Sequence, residues 1–362
     1  MKSKQPSHEF SFFRETFELM KKSMSGISNR VPVFAQIHEL AMAESGLTGK
    51  SFYRNAKNLV YGILKTTKKY GLDAPCVDFD VYNIEAEGIG QRIIYRNNGV
   101  PDADRSNPLI KYKDDLRKIK TPDFRTVFPF TFAIEAQELF RNLTGYTSPI
   151  NFTAPFSLAA NIRGIEKLLL DLYENPQFSK ELFQRITYEV IIPWIMYQKE
   201  KFPDASSIVG SDATASIPII NTKILTEWII PYITDIITVC GSEVYVPNWI
   251  GERYLKNPEE MFELKLKVCP NFLEGQDPDV EKLGPEIYKN FARKHNVALV
   301  LGIGSSFLAS ATPRAVEEKV KKYVTVGKEG GRFSLYLCNL AKTTPPENIR
   351  TAVSTAHRYG KN

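Results

Sequence analysis

Two kinds of hydrophobic run alternate along the chain. Short stretches, apolar almost throughout, recur at Val31–Gln36, Cys76–Asp80, Pro149–Thr153, Ser207–Gly210, Glu243–Val246, Asn271–Leu273, Val297–Leu301 and Phe333–Leu337. Continuous apolar character, rather than strict in–out alternation, marks strands covered on both faces. Between them lie longer segments with apolar residues at helical spacing, over 59–70, 131–145, 164–173, 178–201, 221–239, 258–267, 284–294 and 312–325. A last helix opens on Pro345-Pro346 and runs to Tyr359, since proline fits a first helical turn where its missing N–H costs nothing. Ahead of them all, Phe13, Phe17, Met20 and Met24 place an amphipathic helix over 10–24.

Eight strands, each separated from the next by helix, predict an α/β protein of the (β/α)8 TIM-barrel type. The barrel is expected over 31–362, with 1–30 as an N-terminal helical extension. A doubly wound open sheet would favour a phosphate-cradling GxGxxG, and Gly302-Ile-Gly304-Ser is too short and too late for one. One segment breaks the alternation: 92–125 is long, polar and rich in Asp, Asn, Pro and Arg, and is a candidate cap in which specificity could reside.

Composition narrows the function without naming it. The chain is 43% hydrophobic and 24% charged, ordinary for a soluble globular protein with a large core. Its net charge of +6 is spread rather than clustered, which argues against nucleic-acid binding. No run of about 18 apolar residues offers a membrane span. The four cysteines, at 76, 240, 269 and 338, form no CxxC, so neither a disulfide framework nor a zinc ribbon is expected, and the cytoplasm is the expected compartment.

In a barrel the active site lies where the strands end. There the sequence offers His38, a general acid, a metal ligand or a structural histidine. It offers Tyr82 and Asn83 after the second strand, and Phe156 and Trp249 as aromatic walls or as packing. Asp212 sits in the small, polar run Gly210-Ser-Asp-Ala-Thr-Ala-Ser216, suited to a close ligand or to a turn. Asn248 precedes Trp249. Glu274, Gln276 and Asp277 follow one short strand, and a carboxyl there could be held protonated to act as an acid; Asp277 before Pro278 also suits a plain turn. Cys338 could be a nucleophile, a metal ligand or an inert small hydrophobe.

The spacing from Cys338 to Pro345-Pro346-Glu347-Asn348-Ile349, preceded by Gly330-Gly331, resembles the C-terminal signature of the uroporphyrinogen decarboxylase superfamily. Asn29–Val33, Phe79–Gly88, Asp212–Ser216 with Pro231-Tyr232, and Thr312–Glu318 resemble its other conserved blocks in the same order, over roughly residues 30 to 360. The resemblance implies a (β/α)8 barrel. Glu85-Ala-Glu87 is similar to the corrinoid-dependent methyltransferase branch. True decarboxylases carry an arginine-rich N-terminal segment that grips porphyrin carboxylates, whereas Phe34-Ala-Gln-Ile-His-Glu39 has no arginine. In thiol-methylating members a His-x-Cys pair after the fifth strand joins a late cysteine on zinc. Here those positions read Pro247 and Trp249, and Cys338 alone remains, so zinc is expected only if Glu274, Asp212 or His38 replaces the missing ligands.

The resemblance therefore implies a substrate-side methyltransferase. It would move a methyl group from a small donor, such as a methoxylated aromatic undergoing O-demethylation, to the Co(I) corrinoid (cobalamin) of a partner carrier protein. His38, Glu274 and Asp277 would assist the leaving oxygen; Asn83, Asp212, Asn248 and Gln276 would orient the donor; Tyr82, Phe156 and Trp249 would wall it. The alternatives are a decarboxylase using Asp80 or Asp212 as its key carboxylate, and a barrel that binds ligands without catalysis. Ile191, Ile192, Trp194 and Ile195, close together around Pro193, could cover the barrel or a second copy in a homodimer.

Overall fold

The computed structural model describes residues 9–75, 77, 80 and 82–361. Strand β1 is Val33–Ala35, and a small hairpin of β2 (Ile93–Ile94) and β3 (Asp102–Ala103) follows it. The remaining strands are β4 (Ile150–Thr153), β5 (Ile208–Ser211), β6 (Val244–Tyr245), β7 (Phe272–Gln276), β8 (Ala298–Ile303) and β9 (Phe333–Leu337). Apart from the β2–β3 hairpin every strand pairing is parallel, in the orders β1-β9-β8-β7 and β4-β5-β6. The last strand thus pairs with the first, as closure of a barrel requires.

The expected second strand, Cys76–Asp80, lies mostly outside the described residues. Its neighbourhood is nonetheless fixed: Ala74 makes a parallel bridge to Phe34, and Asn151 Nδ2 donates to the Val77 carbonyl at 3.4 Å. Ala74 and Val77 thus touch β1 and β4 respectively. On the other side, the Tyr245 ring meets Phe272 edge-on at 5.3 Å and joins β6 to β7. The protein is a (β/α)8 barrel, as the strand count predicts.

Strand pleating decides which side chains face the barrel axis. Phe272, Ala298 and Val300 fill the lower interior with Phe34, Tyr245 and Tyr336. Gly275 faces outward, where a Cβ would stand 2.4 Å from Tyr288 Cε1 of the surrounding helix Pro285–Lys294. Glu274 and Gln276 therefore share the inward face with Phe272. Helix Phe13–Met24 closes the N-terminal end of the barrel: Ser23 Oγ donates to the Phe333 carbonyl, and Met24 packs on the interior cluster.

The long helical segment 176–201 continues through Pro193 by widening to a π-turn over Ile186–Ile191, and the segment 222–240 does the same over Leu225–Ile229 ahead of Pro231. Trp194 and Ile195 are buried within the chain, with the Trp194 ring 4.7 Å from that of Phe130. The polar excursion is a strap. At one end its hairpin grips helix Gly49–Tyr53, where the Gly49 N–H donates to the Asn97 carbonyl at 2.9 Å. Only glycine fits there, since a Cβ would come within 2.2 Å of the Arg96 carbonyl. At the other end the Ile110 N–H donates to Ile162 O at 2.9 Å, and Arg163 Nη1 to Lys111 O at 2.6 Å. Among the described residues no helix is long and apolar enough to cross a membrane.

Candidate active site

The C-terminal strand ends gather polar residues into two arcs. The first belongs to β1, β7, β8 and β9. Gln276, Gly302, Tyr336 and Phe34 occupy one register row across these strands. Tyr336 Oη donates to Gln36 Oε1 at 3.2 Å, and Gln36 Nε2 lies 3.1 Å from His38 Nε2. Gln276 Nε2 donates to Glu274 Oε1 at 2.5 Å, and burial holds the Glu274 carboxyl above its usual range. Gly302 leaves the space these groups need: a Cβ there would stand 2.5 Å from Cys338 Sγ and 3.0 Å from Gln276 Cγ. His38, Glu274, Gln276 and Cys338 are thus brought to the same interior layers.

The second arc belongs to β4, β5 and β6. Asp212 is fully buried; its Oδ1 accepts from the Ser157 N–H at 2.9 Å and its Oδ2 from Trp249 Nε1 at 3.3 Å. Burial pushes its carboxyl up to about 6. Asn248 Oδ1 accepts from the Asp212 N–H at 2.9 Å, and its Nδ2 donates to Tyr82 Oη at 3.3 Å. Tyr82, with φ of 68°, sits in the left-handed region that a side chain of its size seldom adopts. Asn83 is buried, donates from its backbone to Asp80 Oδ1 at 3.0 Å, and ties the turn to Pro101 O through Nδ2 at 3.1 Å.

Three of the sequence candidates lie elsewhere or are enclosed. Asp277 accepts from Lys319 Nζ at 3.0 Å, Tyr323 Oη and the Gly304 N–H, which anchors the loop to helix Pro313–Gly327 rather than to the mouth. Phe156 is fully buried, its ring 6.3 Å from Phe183. Trp249 is 1% exposed and spends its N–H on Asp212, so it braces the arc from within.

A carboxylate cluster groups Asp80, expected only as the carboxylate of a decarboxylase, with Glu85 and Glu87. Burial, then the charges of Glu87 and Glu85, push Asp80 up to about 7, against the pull of the Asn83 N–H and of His38. Glu85 is likewise raised by burial to about 7, although its Oε1 accepts from the Thr153 N–H at 2.9 Å. Arg54 Nη1 donates to Glu87 Oε1 at 3.3 Å, and Tyr95 Oη to Glu87 Oε2. The sequence signal is the density of acids in Asp80-Val-Tyr-Asn-Ile-Glu85-Ala-Glu87, of which only Asp80 was singled out, as the carboxylate of the decarboxylase alternative.

The model of the family described as uroporphyrinogen decarboxylase (URO-D) matches residues 19–359. The chain belongs to the URO-D family. No curated protein matches it. Among solved structures, 33 chains match. One is a methyltransferase from Methanosarcina mazei, with a TM-score of 0.76 at 16% identity, covering 97% of this chain and 99% of that one. At that identity the likeness speaks for the barrel, and it spans nearly all of both chains.

Zinc, which the resemblance to the thiol-methylating members carries with it, does not fit this URO-D chain. Pro247 and Trp249 offer no ligand atoms, and among the described residues no three His, Cys, Asp or Glu side chains assemble into a metal-binding group. Cys338 is buried against Gly302, and one sulfur without further ligands cannot make a zinc site. Cys338→Ala should therefore leave the metal content unchanged and cost about 1–2 kcal/mol of stability through lost packing. Elemental analysis and urea unfolding check this; a bound metal lost with the thiol would sink it.

Proposed function

We propose that this URO-D family protein is a methyltransferase that holds a small, uncharged methyl donor at the barrel mouth for transfer to the Co(I) corrinoid of a separate carrier protein. The observation that carries the reading is the charge character of the mouth. Asp80, Glu85 and Glu87 gather there, and Arg54, a cation beside them, is already taken by Glu87. Four acetate-bearing pyrroles would need several cations, whereas carboxyls raised to about 7 can stay protonated and donate to a leaving oxygen. The methyltransferase found among the solved structures adds support from a protein of the same fold.

The carrier's corrinoid would supply the nucleophile, a chemistry in which the protein's share is binding, orientation and electrostatics. Asp80 is the proposed proton donor to the departing oxygen, with the charge of His38 bearing on it. Glu274, deeper in the barrel, is a second protonated carboxyl, and Gln276 fixes its direction. Asn248 and Tyr82, bonded to each other, would position the donor on the far arc. The 92–125 strap, fastened to Gly49 at one end and to Ile162 and Arg163 at the other, would shield the donor from water.

The test is direct. The protein, a corrinoid carrier reduced to Co(I) and a series of methyl ethers are mixed, and loss of the Co(I) spectrum is followed against phenol release. Uroporphyrinogen is assayed in parallel, because the family is described as uroporphyrinogen decarboxylase, a reaction for which Asp80 or Asp212 would be the key carboxylate. Carbon dioxide release from uroporphyrinogen without methyl transfer would overturn the proposal.

A further inference from the structure

A concavity of about 640 Å³ opens on the outer ring of the barrel, between the end of helix His38–Glu44 and helix Ala56–Tyr70. Its volume falls within the roughly 300–1,000 Å³ usual for small-ligand sites. Along helix Ala56–Tyr70, Lys57, Tyr61, Lys65 and Lys69 follow at steps of four residues, so one stripe of the helix lines the space. Glu44, Ser45 and Leu47 line it from the neighbouring segment. Gly62 lets the two segments meet: a Cβ there would stand 2.7 Å from Ser45 Oγ and 2.6 Å from Phe52 Cε2.

The charges around this space do not balance. Helix Ala56–Tyr70 carries four lysines and no acid, and Lys65 and Lys69, four residues apart, repel each other. Glu44, the carboxylate in the lining, is already engaged: Oε2 accepts from Lys69 Nζ and Oε1 from Tyr70 Oη. Ser45 Oγ donates to Ala41 O at 2.7 Å, and Asn58 Nδ2 to Ser51 O at 3.0 Å. Lys57 and Lys65 are exposed and form no ion pair among the described residues. A lone lysine on a convex face is satisfied by water. Cations that line one hollow present their charges to a single entering anion together. An apolar surface lies beside them: the Tyr61 ring is half-buried, held edge-on by Phe10 at 6.1 Å, with Lys65 Nζ 5.7 Å from its centre, and Leu47 adds to it.

We propose that this concavity binds a small organic phosphate, its phosphate between Lys57, Lys65 and Lys69 and its apolar part against Tyr61 and Leu47. A phosphate carries up to two charges on one compact group, and lysine meets it as a mobile point charge without a fixed fork geometry. A ligand with one negative charge would leave the excess of cations largely uncompensated. The site lies on the outside of the barrel and shares no lining residue with the mouth, so it stands or falls apart from methyl transfer.

Binding of phenyl phosphate and of inorganic phosphate to the whole chain is compared by calorimetry, alongside thermal unfolding without either probe. Wild type should bind phenyl phosphate the more tightly, and added salt should weaken both. Lys65→Gln should bind phenyl phosphate about tenfold more weakly, as loss of one charge-assisted hydrogen bond gives, and Lys65→Arg should keep most of the affinity. Tyr61→Leu should bind the two probes alike. Lys167→Gln, which removes an exposed lysine of helix Ile165–Glu174 outside the concavity, should bind as wild type does. Lys65 makes no ion pair, so its variants should unfold with wild type, and they decide the matter should Tyr61→Leu not fold. Four results would overturn the proposal: wild type binding neither probe or both equally, Lys65→Gln binding like wild type, Lys167→Gln losing as much as Lys65→Gln, or a folded Tyr61→Leu keeping the preference.

Discussion

Lys265→Met should lose about 3–5 kcal/mol of stability, the usual result of stripping one partner from a buried ion pair. Lys265 and Glu252 are 2% and fully buried, joined by a direct salt bridge, and Lys265 Nζ also donates to the Glu274 carbonyl at 2.7 Å. The network extends further: Asp279, also fully buried, accepts from the Gly251 N–H at 2.6 Å and pairs with Arg253 at 2.5 Å. Burial already pushes Glu252 up to about 7, with Asp279 adding to it and Lys265 opposing it. Removing the ammonium leaves two carboxyl groups in a dry space. Urea unfolding followed by circular dichroism measures the loss, and a cost under about 1 kcal/mol would show that the pair is not the brace it looks to be. Replacing Glu252 by Leu in the same chain should recover a good part of the loss, since an apolar pair of similar volume suits such a site. Because Lys265 holds the backbone of Glu274, the single variant should also loosen the first arc.

Asp80→Asn should lower the methyl-transfer rate by about 100- to 10,000-fold, the range that general acids contribute. Its pH dependence is the sharper readout. With a folded value of about 7, wild-type Asp80 is protonated below neutrality, so the rate should fall as pH rises through 7. The asparagine variant should lack that limb. Stability moves with the same proton. A carboxyl raised from 3.8 to about 7 binds more protons folded than unfolded between those values, so its contribution is present at low pH and is lost as pH rises through that window. Asp80→Asn removes the loss, and at pH 8 the variant should be about 2 kcal/mol more stable than wild type, allowing for partial exposure of the site. At pH 4 the two should be alike. A variant less stable at pH 8 would mean that the carboxylate is held by bonds stronger than its desolvation.

The residues that matched and those that misled separate along one physical line. Phe333–Leu337 and Val297–Leu301 were legible as strands because a strand covered on both faces is apolar throughout, a local and periodic signature. Helix starts were less plain: the helix expected over 59–70 begins at Ala56, where Asn55 caps it by accepting from the Asn58 N–H, and Gly71 stops it with φ of 69°. Short helices such as His38–Glu44, Gly49–Tyr53 and Ile84–Gly88 escaped, being too brief to show a period.

The candidate site was harder. Glu274, Gln276 and Asp277 are adjacent in sequence and were read as one group, yet a strand sends alternate residues to opposite faces. Glu274 and Gln276 point to the axis, while Asp277 turns to Lys319 and Tyr323. Phe156 and Trp249 sit at strand ends as expected, but the packing around them leaves no face open to a ligand.

By itself, the amino-acid sequence determined the barrel, its strand order and the family signature around Cys338, because burial on two faces and fixed motif spacing are written in consecutive residues. Only the tertiary structure decided which strand-end groups share a layer, which are spent on bracing, and that the charges of Glu85 and Glu87 bear on Asp80. Those outcomes depend on desolvation and hydrogen-bond competition among chain segments far apart in sequence, and both exist only once the chain has closed.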